Sequence, residues 1–139
     1  VLNFTKDLEY ALLCLTAMAQ KKGVRVSANA LSSEHGLSPS LISKILQKLN
    51  RAKLISSTAG VNGGYALQRD PETITIQDVA SSLNDDLHMT DCESKDGCKR
   101  SEICLIRPTM HDIQKNIWSV LESTTLAAFV KSSKEPVAG

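Results

Sequence analysis

Three of the four cysteines, Cys92, Cys98 and Cys104, share one stretch with the spacing Cys-x5-Cys-x5-Cys. A thiolate is both a nucleophile and a metal ligand, so this cluster points first to redox or metal chemistry. A closed zinc site takes four ligands, usually from tight Cys-x2–4-Cys knuckles. The spacing here forms none, which makes zinc the weaker reading. Iron–sulfur clusters accept thiolates from looser loops and tolerate a non-cysteine ligand at one iron. A disulfide with a spare thiol competes with that reading. It asks for an oxidising compartment, and no charged-then-apolar leader with a small-residue cleavage site is seen, so a reducing cytoplasm is expected. Three thiolates leave a fourth ligand to be found. His88 and His111 are the nearest histidines, Asp91 and Glu93 are nearby carboxylates, and a partner subunit could supply another; spacing leaves the choice open. Cys14 lies inside an apolar run and reads as a core side chain.

Residues 84 to 104 have almost no apolar periodicity, so this stretch cannot order itself by packing: something else orders it, or it is disordered. A cluster held there would couple its own presence to the order of the adjacent helices. From Pro108 a helix is expected, with Ile106 just before it and Met110, Ile113, Ile117, Val120 and Leu121 at steps of three and four. That heptad-like seam suits a two-fold pairing, and packing onto its own domain is the alternative. Leu126, Phe129 and Val130 suggest a short terminal helix that docks back, and residues 132–139 a frayed tail.

The N-terminal half has a different task. Leu8 to Ala19 is apolar on nearly every side, interrupted by Thr16, and belongs in the middle of a fold. Ser27 reads as the N-cap of a short helix closed by Gly36. Ser38 and Pro39 then open a second helix with Leu41, Ile42, Ile45, Leu46 and Leu49 on one face. Its other face carries Ser40, Ser43, Lys44, Gln47, Lys48 and Arg51. Two short helices joined by a Gly-containing turn, the second polar and basic on its free side, describe a helix-turn-helix. Leu54–Thr58 and Tyr65–Arg69 read as strands around Asn62-Gly63-Gly64, a strong hairpin signal and therefore a wing. Ser38, Ser40, Ser43, Lys44 and Gln47 are candidates for groove contacts. Lys48, Arg51, Asn62 and the Gly63 and Gly64 amides suit phosphates. A short amphipathic helix follows within Thr73–Leu83.

Charge supports this division. The net +1 conceals eight Lys/Arg against three acids in residues 1–60, then one Arg against six acids in residues 61–91. A basic head suggests a polyanion partner. Aromatic residues, at 4%, are too few for single-strand stacking platforms. The longest strongly apolar run, Tyr10–Ala19, is about half of a bilayer crossing, so no membrane role is expected. Neither a nucleotide-binding glycine fingerprint nor a nucleophile–base pair is apparent, and no enzymatic activity or small-molecule substrate is expected.

Four motifs in order carry a resemblance. Thr5-x4-Tyr10-Ala11-Leu12, Gly60-x2-Gly63-Gly64-Tyr65-x-Leu67 in the wing, the Cys92–Cys98–Cys104 loop, and Thr125-Leu126-x2-Phe129-Val130 together resemble the Rrf-two (Rrf2) type of bacterial regulator over essentially the whole chain. The resemblance implies a homodimeric winged-helix repressor or activator on a double-stranded DNA operator. It also implies a [2Fe-2S] or [4Fe-4S] cluster on the three cysteines that senses redox, iron or nitric-oxide status. In IscR-like members a His three residues after the last cysteine completes the site; here that residue is Arg107. In NsrR-like members an acidic residue of the partner's first helix does so, and the matching position is Glu9. The match favours Glu9 over His111, and a four-iron cluster over a two-iron one. A plain exposed helix carboxylate is the competing role for Glu9, and a cluster-free, thiol-switched regulator of the same fold is the competing function. The expected architecture is mainly α with a small β-hairpin. It comprises a winged helix-turn-helix domain (1–83), a cluster-binding loop (84–105), a long dimerisation helix with a short terminal helix (106–131), and the tail.

Overall fold

The fold is built around its first helix, α1 (Lys6–Gln20), which contacts α3, β2, α4 and α6 described below. The computed structural model describes residues 4–85, 87, 99 and 102–133. Leu8, Ala11, Leu12, Cys14, Leu15, Ala17 and Met18 of α1 are all buried, as a helix apolar on several sides must be. Thr5 caps its start by accepting from the Leu8 N–H at 3.2 Å. Asp7 and Glu9 lie in the first turn, where a carboxylate meets the positive end of the helix dipole.

Helices α2 (Ala28–His35) and α3 (Pro39–Arg51) form the helix-turn-helix. Ser27 accepts from the Ala30 N–H at 3.0 Å, and Gly36 closes α2 in the left-handed conformation, φ 64°. The turn is fixed by a pair of bonds on one residue: the Leu37 N–H donates to the Ser32 carbonyl, and the Ser32 hydroxyl donates to the Leu37 carbonyl. Ser38 occupies the N-cap of α3, as its position before Pro39 suggests, but its hydroxyl caps nothing. It lies 3.0 Å from the Ser40 hydroxyl instead. Ile42, Ile45, Leu46 and Leu49 are fully buried and seat α3 against the core.

Strands β1 (Ile55–Thr58) and β2 (Gly64–Leu67) pair antiparallel, Ile55 opposite Leu67 and Ser57 opposite Tyr65. Each strand is four residues long, one fewer than the alternation suggests, and β2 begins one residue earlier, at Gly64, and ends at Leu67. The second edge of β2 is also occupied: Val26 and Tyr65 exchange two backbone bonds of 2.8 Å, anchoring the wing to the segment before α2. This close approach explains Gly64. Its φ is +145°, and a Cβ there would come within 2.8 Å of the Val26 carbonyl oxygen.

A single 3₁₀ turn (Pro71–Thr73) leads to α4 (Ile76–Ser82), started by a reciprocal capping box of Thr75 and Asp78. Helix α5 (Arg107–Ser123) packs on α4, and α6 (Leu126–Ser132) returns to α1. Backbone bonds from Ile76 to Thr124 and from Leu126 to Ile74 tie the α5–α6 corner to the start of α4. Along α5 only Gln114 and Leu121 are buried. Its apolar seam is open: Ile106 is 62% exposed, Ile113 39% and Val120 60%. Among the described residues no helix is long and apolar enough to cross a membrane.

Gly64→Ala should strain the wing's attachment and destabilise the chain by about 1–3 kcal/mol, since a side chain at that φ also collides with backbone. Urea unfolding measures this; an unchanged midpoint would contradict the role given to the Val26–Tyr65 bridge.

Candidate nucleic-acid interface and cysteine loop

The outer face of α3 is assembled by helical spacing. Ser40, Lys44, Gln47 and Arg51 recur at steps of four, three and four and are all exposed; Ser43 and Lys48 flank them, half-buried. Among the described residues Lys44, Lys48 and Arg51 take part in no ion pair, so their charge is turned outward. Lys21, by contrast, is engaged with Glu34 at 3.2 Å, and Arg69 with Asp78 at 3.6 Å. Ser38 is exposed at the α3 N-terminus beside Ser40.

Asn62 is exposed at the wing tip, next to Val61, which is completely so. Gly63 and Gly64 have conformational tasks of their own. A Cβ on Gly63 would meet the Thr58 carbonyl at 2.1 Å, and its N–H already donates to Gly60 across the turn at 3.0 Å. Those contacts account for both glycines before any phosphate is considered.

Cys92 and Cys98, with His88, Asp91 and Glu93, lie outside the described residues. Cys104 is described: half-buried, free, and three residues ahead of α5. Within the described residues no three His, Cys, Asp or Glu side chains gather as a metal site. Glu9 is on the open side of α1, its carboxylate 3.1 Å from Lys6, whose ammonium pKa it raises. It borders a concavity of about 400 Å³ shared with Phe4, Leu13 and Phe129. His111 is exposed on α5, beside a concavity of about 370 Å³ shared with Gln114, Trp118 and Glu122.

The start of the cysteine loop is anchored from two helices. Thr5, while capping α1, donates its hydroxyl hydrogen to Asp85. Two residues further, the Leu87 carbonyl accepts from Gln114 Nε2 at 3.2 Å and from Trp118 Nε1 at 2.9 Å. Gln114 and Trp118 are four apart, hence on one face of α5, and both converge on a single oxygen. The other end of the loop, at Cys104, runs directly into α5. No pattern along the chain points to these anchors. The available signal was Gln114, a polar residue set among the apolar positions of α5.

Cys14 has the environment expected of a core residue: it is fully buried, and burial pushes its thiol pKa up to about 11.

Comparison with known proteins agrees with these observations. Residues 4–132 match the profile of the Rrf2 family, described as an iron-dependent transcriptional regulator. The HTH-type transcriptional regulator IscR of Xenorhabdus nematophila is 32% identical over 104 residues, 75% of this chain and 63% of that protein, just under two thirds of its length. Two solved structures share the fold at lower identity. T. potens IscR superposes with a TM-score of 0.77 at 24% identity, covering 99% of this chain and 94% of that one. CymR, the global cysteine regulator of B. subtilis, gives 0.76 at 23%, covering 94% and 98%.

The two described thiols should differ in reactivity. At neutral pH a pKa near 11 leaves Cys14 about one part in ten thousand thiolate, and burial removes access as well. Iodoacetamide should therefore label Cys104 in the native, metal-free protein and Cys14 only after unfolding. Equal labelling rates, followed by mass spectrometry, would contradict the packing of α1.

Proposed function

The chain belongs to the Rrf2 family of transcriptional regulators, which are not enzymes, and from that premise we propose that it binds operator DNA as a homodimer under the control of an iron–sulfur cluster. The observation that carries the DNA reading is the outer face of α3, where Lys44, Gln47 and Arg51 stand exposed with no cation paired within the described chain. Ser38, Ser40, Ser43, Lys44 and Gln47 reach base edges in the major groove. Lys48, Arg51, Asn62 and the Gly64 amide meet phosphates, while the Gly63 N–H is already given to Gly60 and only shapes the wing tip. Work on operator DNA places the protein in the cytoplasm.

Dimerisation is supported by the seam of α5. Ile106, Ile113 and Val120 expose apolar surface along one helix, and a second copy of the same helix would cover it symmetrically. The pairing sets the distance between the two α3 helices, which must match half-sites about one helical turn apart.

The donor set fits an iron–sulfur cluster. Cys92, Cys98 and Cys104 supply three thiolates, and the half-buried Cys104 adjoins α5. Arg107 stands at the position of the histidine that completes the site in IscR-like members, so the chain departs from that pattern. Glu9 of the partner is the favoured fourth ligand, with His111 as the alternative, and a four-iron cluster is favoured over a two-iron one. When bound, the group supplies redox activity and reactivity toward small oxidants. Everything else falls to the chain. Leu87 and Asp85 hold the loop against α5 and α1, so a change in loop order reaches the helix that spaces the reading heads and the helix that supports them.

Fluorescence anisotropy on a labelled duplex should show affinity falling steeply with salt, because each neutralised phosphate releases counterions. Lys44→Ala with Arg51→Ala should weaken binding by at least about tenfold. Affinity insensitive to salt would overturn the DNA reading. Anaerobically purified protein should be brown, and Cys104→Ala colourless. A Mössbauer spectrum altered in Glu9→Ala and unaltered in His111→Ala identifies the fourth ligand. Colourless wild-type protein that still binds DNA would instead mark a thiol switch. Val120→Glu should sediment as a monomer and lose most DNA affinity; a dimer of unchanged affinity would contradict the α5 pairing.

A further inference from the structure

The hairpin from Ile55 to Gln68 contains no charged residue. A wing that lies along a polyanion normally needs a cation, and this one has none of its own. The structure supplies one from elsewhere in the chain. Arg25, in the segment before α2, reaches across the hairpin, and one of its terminal nitrogens lies 3.3 Å from each of two carbonyl oxygens, Ser56 on β1 and Gly64 on β2. The Val26–Tyr65 backbone pairing next to it fixes where that side chain begins. Arg25 is exposed and, among the described residues, in no ion pair. A guanidinium carries five N–H donors, and those not turned to the two carbonyls remain for another acceptor.

The surface beside it is concave. Arg25, Ser27, Asn62 and Gly63 border a depression of about 670 Å³ between the wing tip and the start of α2. Val24 and Val61, 63% and 103% exposed, project on its margins with apolar side chains. This combination of a positioned planar cation, hydroxyl and amide donors, and small apolar rims matches a phosphodiester with its sugars better than any neutral partner.

Building on the DNA-binding reading above, we propose that Arg25 is the wing's cation: clamped across the hairpin, it binds a backbone phosphate of duplex DNA in the depression beside the wing tip. The contact positions the wing and carries no sequence information.

The test uses the full chain and a mixed-sequence duplex, titrated across a range of salt. Arg25→Ala should weaken binding about five- to tenfold at low salt and reduce the slope of log affinity against log salt by about one. Arg25→Lys, which keeps the charge, should restore most of the slope, and Lys131→Ala, an exposed cation on α6 outside the depression, should leave it unchanged. The loss should be the same on A·T-rich and G·C-rich duplexes. Three results would overturn the proposal. One is an affinity loss in Arg25→Ala with no change of slope, which would mean that Arg25 only shapes the hairpin. Another is a loss confined to A·T-rich duplexes, which would mean that it reads the minor groove. The last is wild-type affinity in Arg25→Ala. If the wild-type protein itself shows no salt-dependent DNA affinity, the DNA reading fails; a normal wild-type slope matched by Arg25→Ala removes only this contact.

Discussion

The architecture depends on the burial of α1. Seven of its side chains are enclosed by α3, β2, α4 and α6, so both halves of the chain take their positions from one rod. Truncating one of them, Leu15 for example, would cost about 2–5 kcal/mol, a large share of the total stability of a domain this size. Such a helix resists bending and shifts as a unit. Its first turn is therefore a sensitive place for the proposed sensor loop to act, and Thr5 links the two by capping the helix and holding Asp85 at the same time.

Two further bonds extend that logic. The Leu87 carbonyl takes a hydrogen bond from Gln114 and another from the indole of Trp118, so the chain leading into the cysteine loop is fastened to the middle of α5. Buried polar groups must be satisfied, and Gln114, at 5% exposure on the inward face of α5, meets that carbonyl. In the proposed mechanism loop order therefore acts on α1 and α5 together, and neither helix needs to contact the cofactor along its length.

Much of this was legible in sequence because it follows from local rules. The apolar faces of α1 and α3, the Ser27 and Gly36 caps, the hairpin at Asn62-Gly63-Gly64 and the core role of Cys14 are fixed by periodicity, turn chemistry and burial. What escaped was non-local. Ser38 holds the cap position without capping, because its hydroxyl turns to Ser40. The outer edge of β2 rests on Val26, a single residue with no strand pattern around it. Arg25 is one basic residue among eight in the first sixty until the fold lays it across the hairpin. The anchors of the cysteine loop involve partners 27, 31 and 80 positions apart, beyond the reach of any pattern along the chain.

The proposed coupling between the loop and the reading heads is tested most directly by Trp118→Phe, which keeps the ring's apolar body and removes its N–H from Leu87. DNA affinity is measured for wild type and variant, each with the cluster intact and again after its removal under anaerobic conditions. Coupling through Leu87 predicts an affinity ratio of several-fold between the two wild-type states. In the variant that ratio should shrink toward one while the cluster's visible spectrum persists, as expected when a bond of about 1 kcal/mol is lost from the connection. A variant with the wild-type ratio, or a wild-type protein whose affinity ignores the cluster, would contradict it.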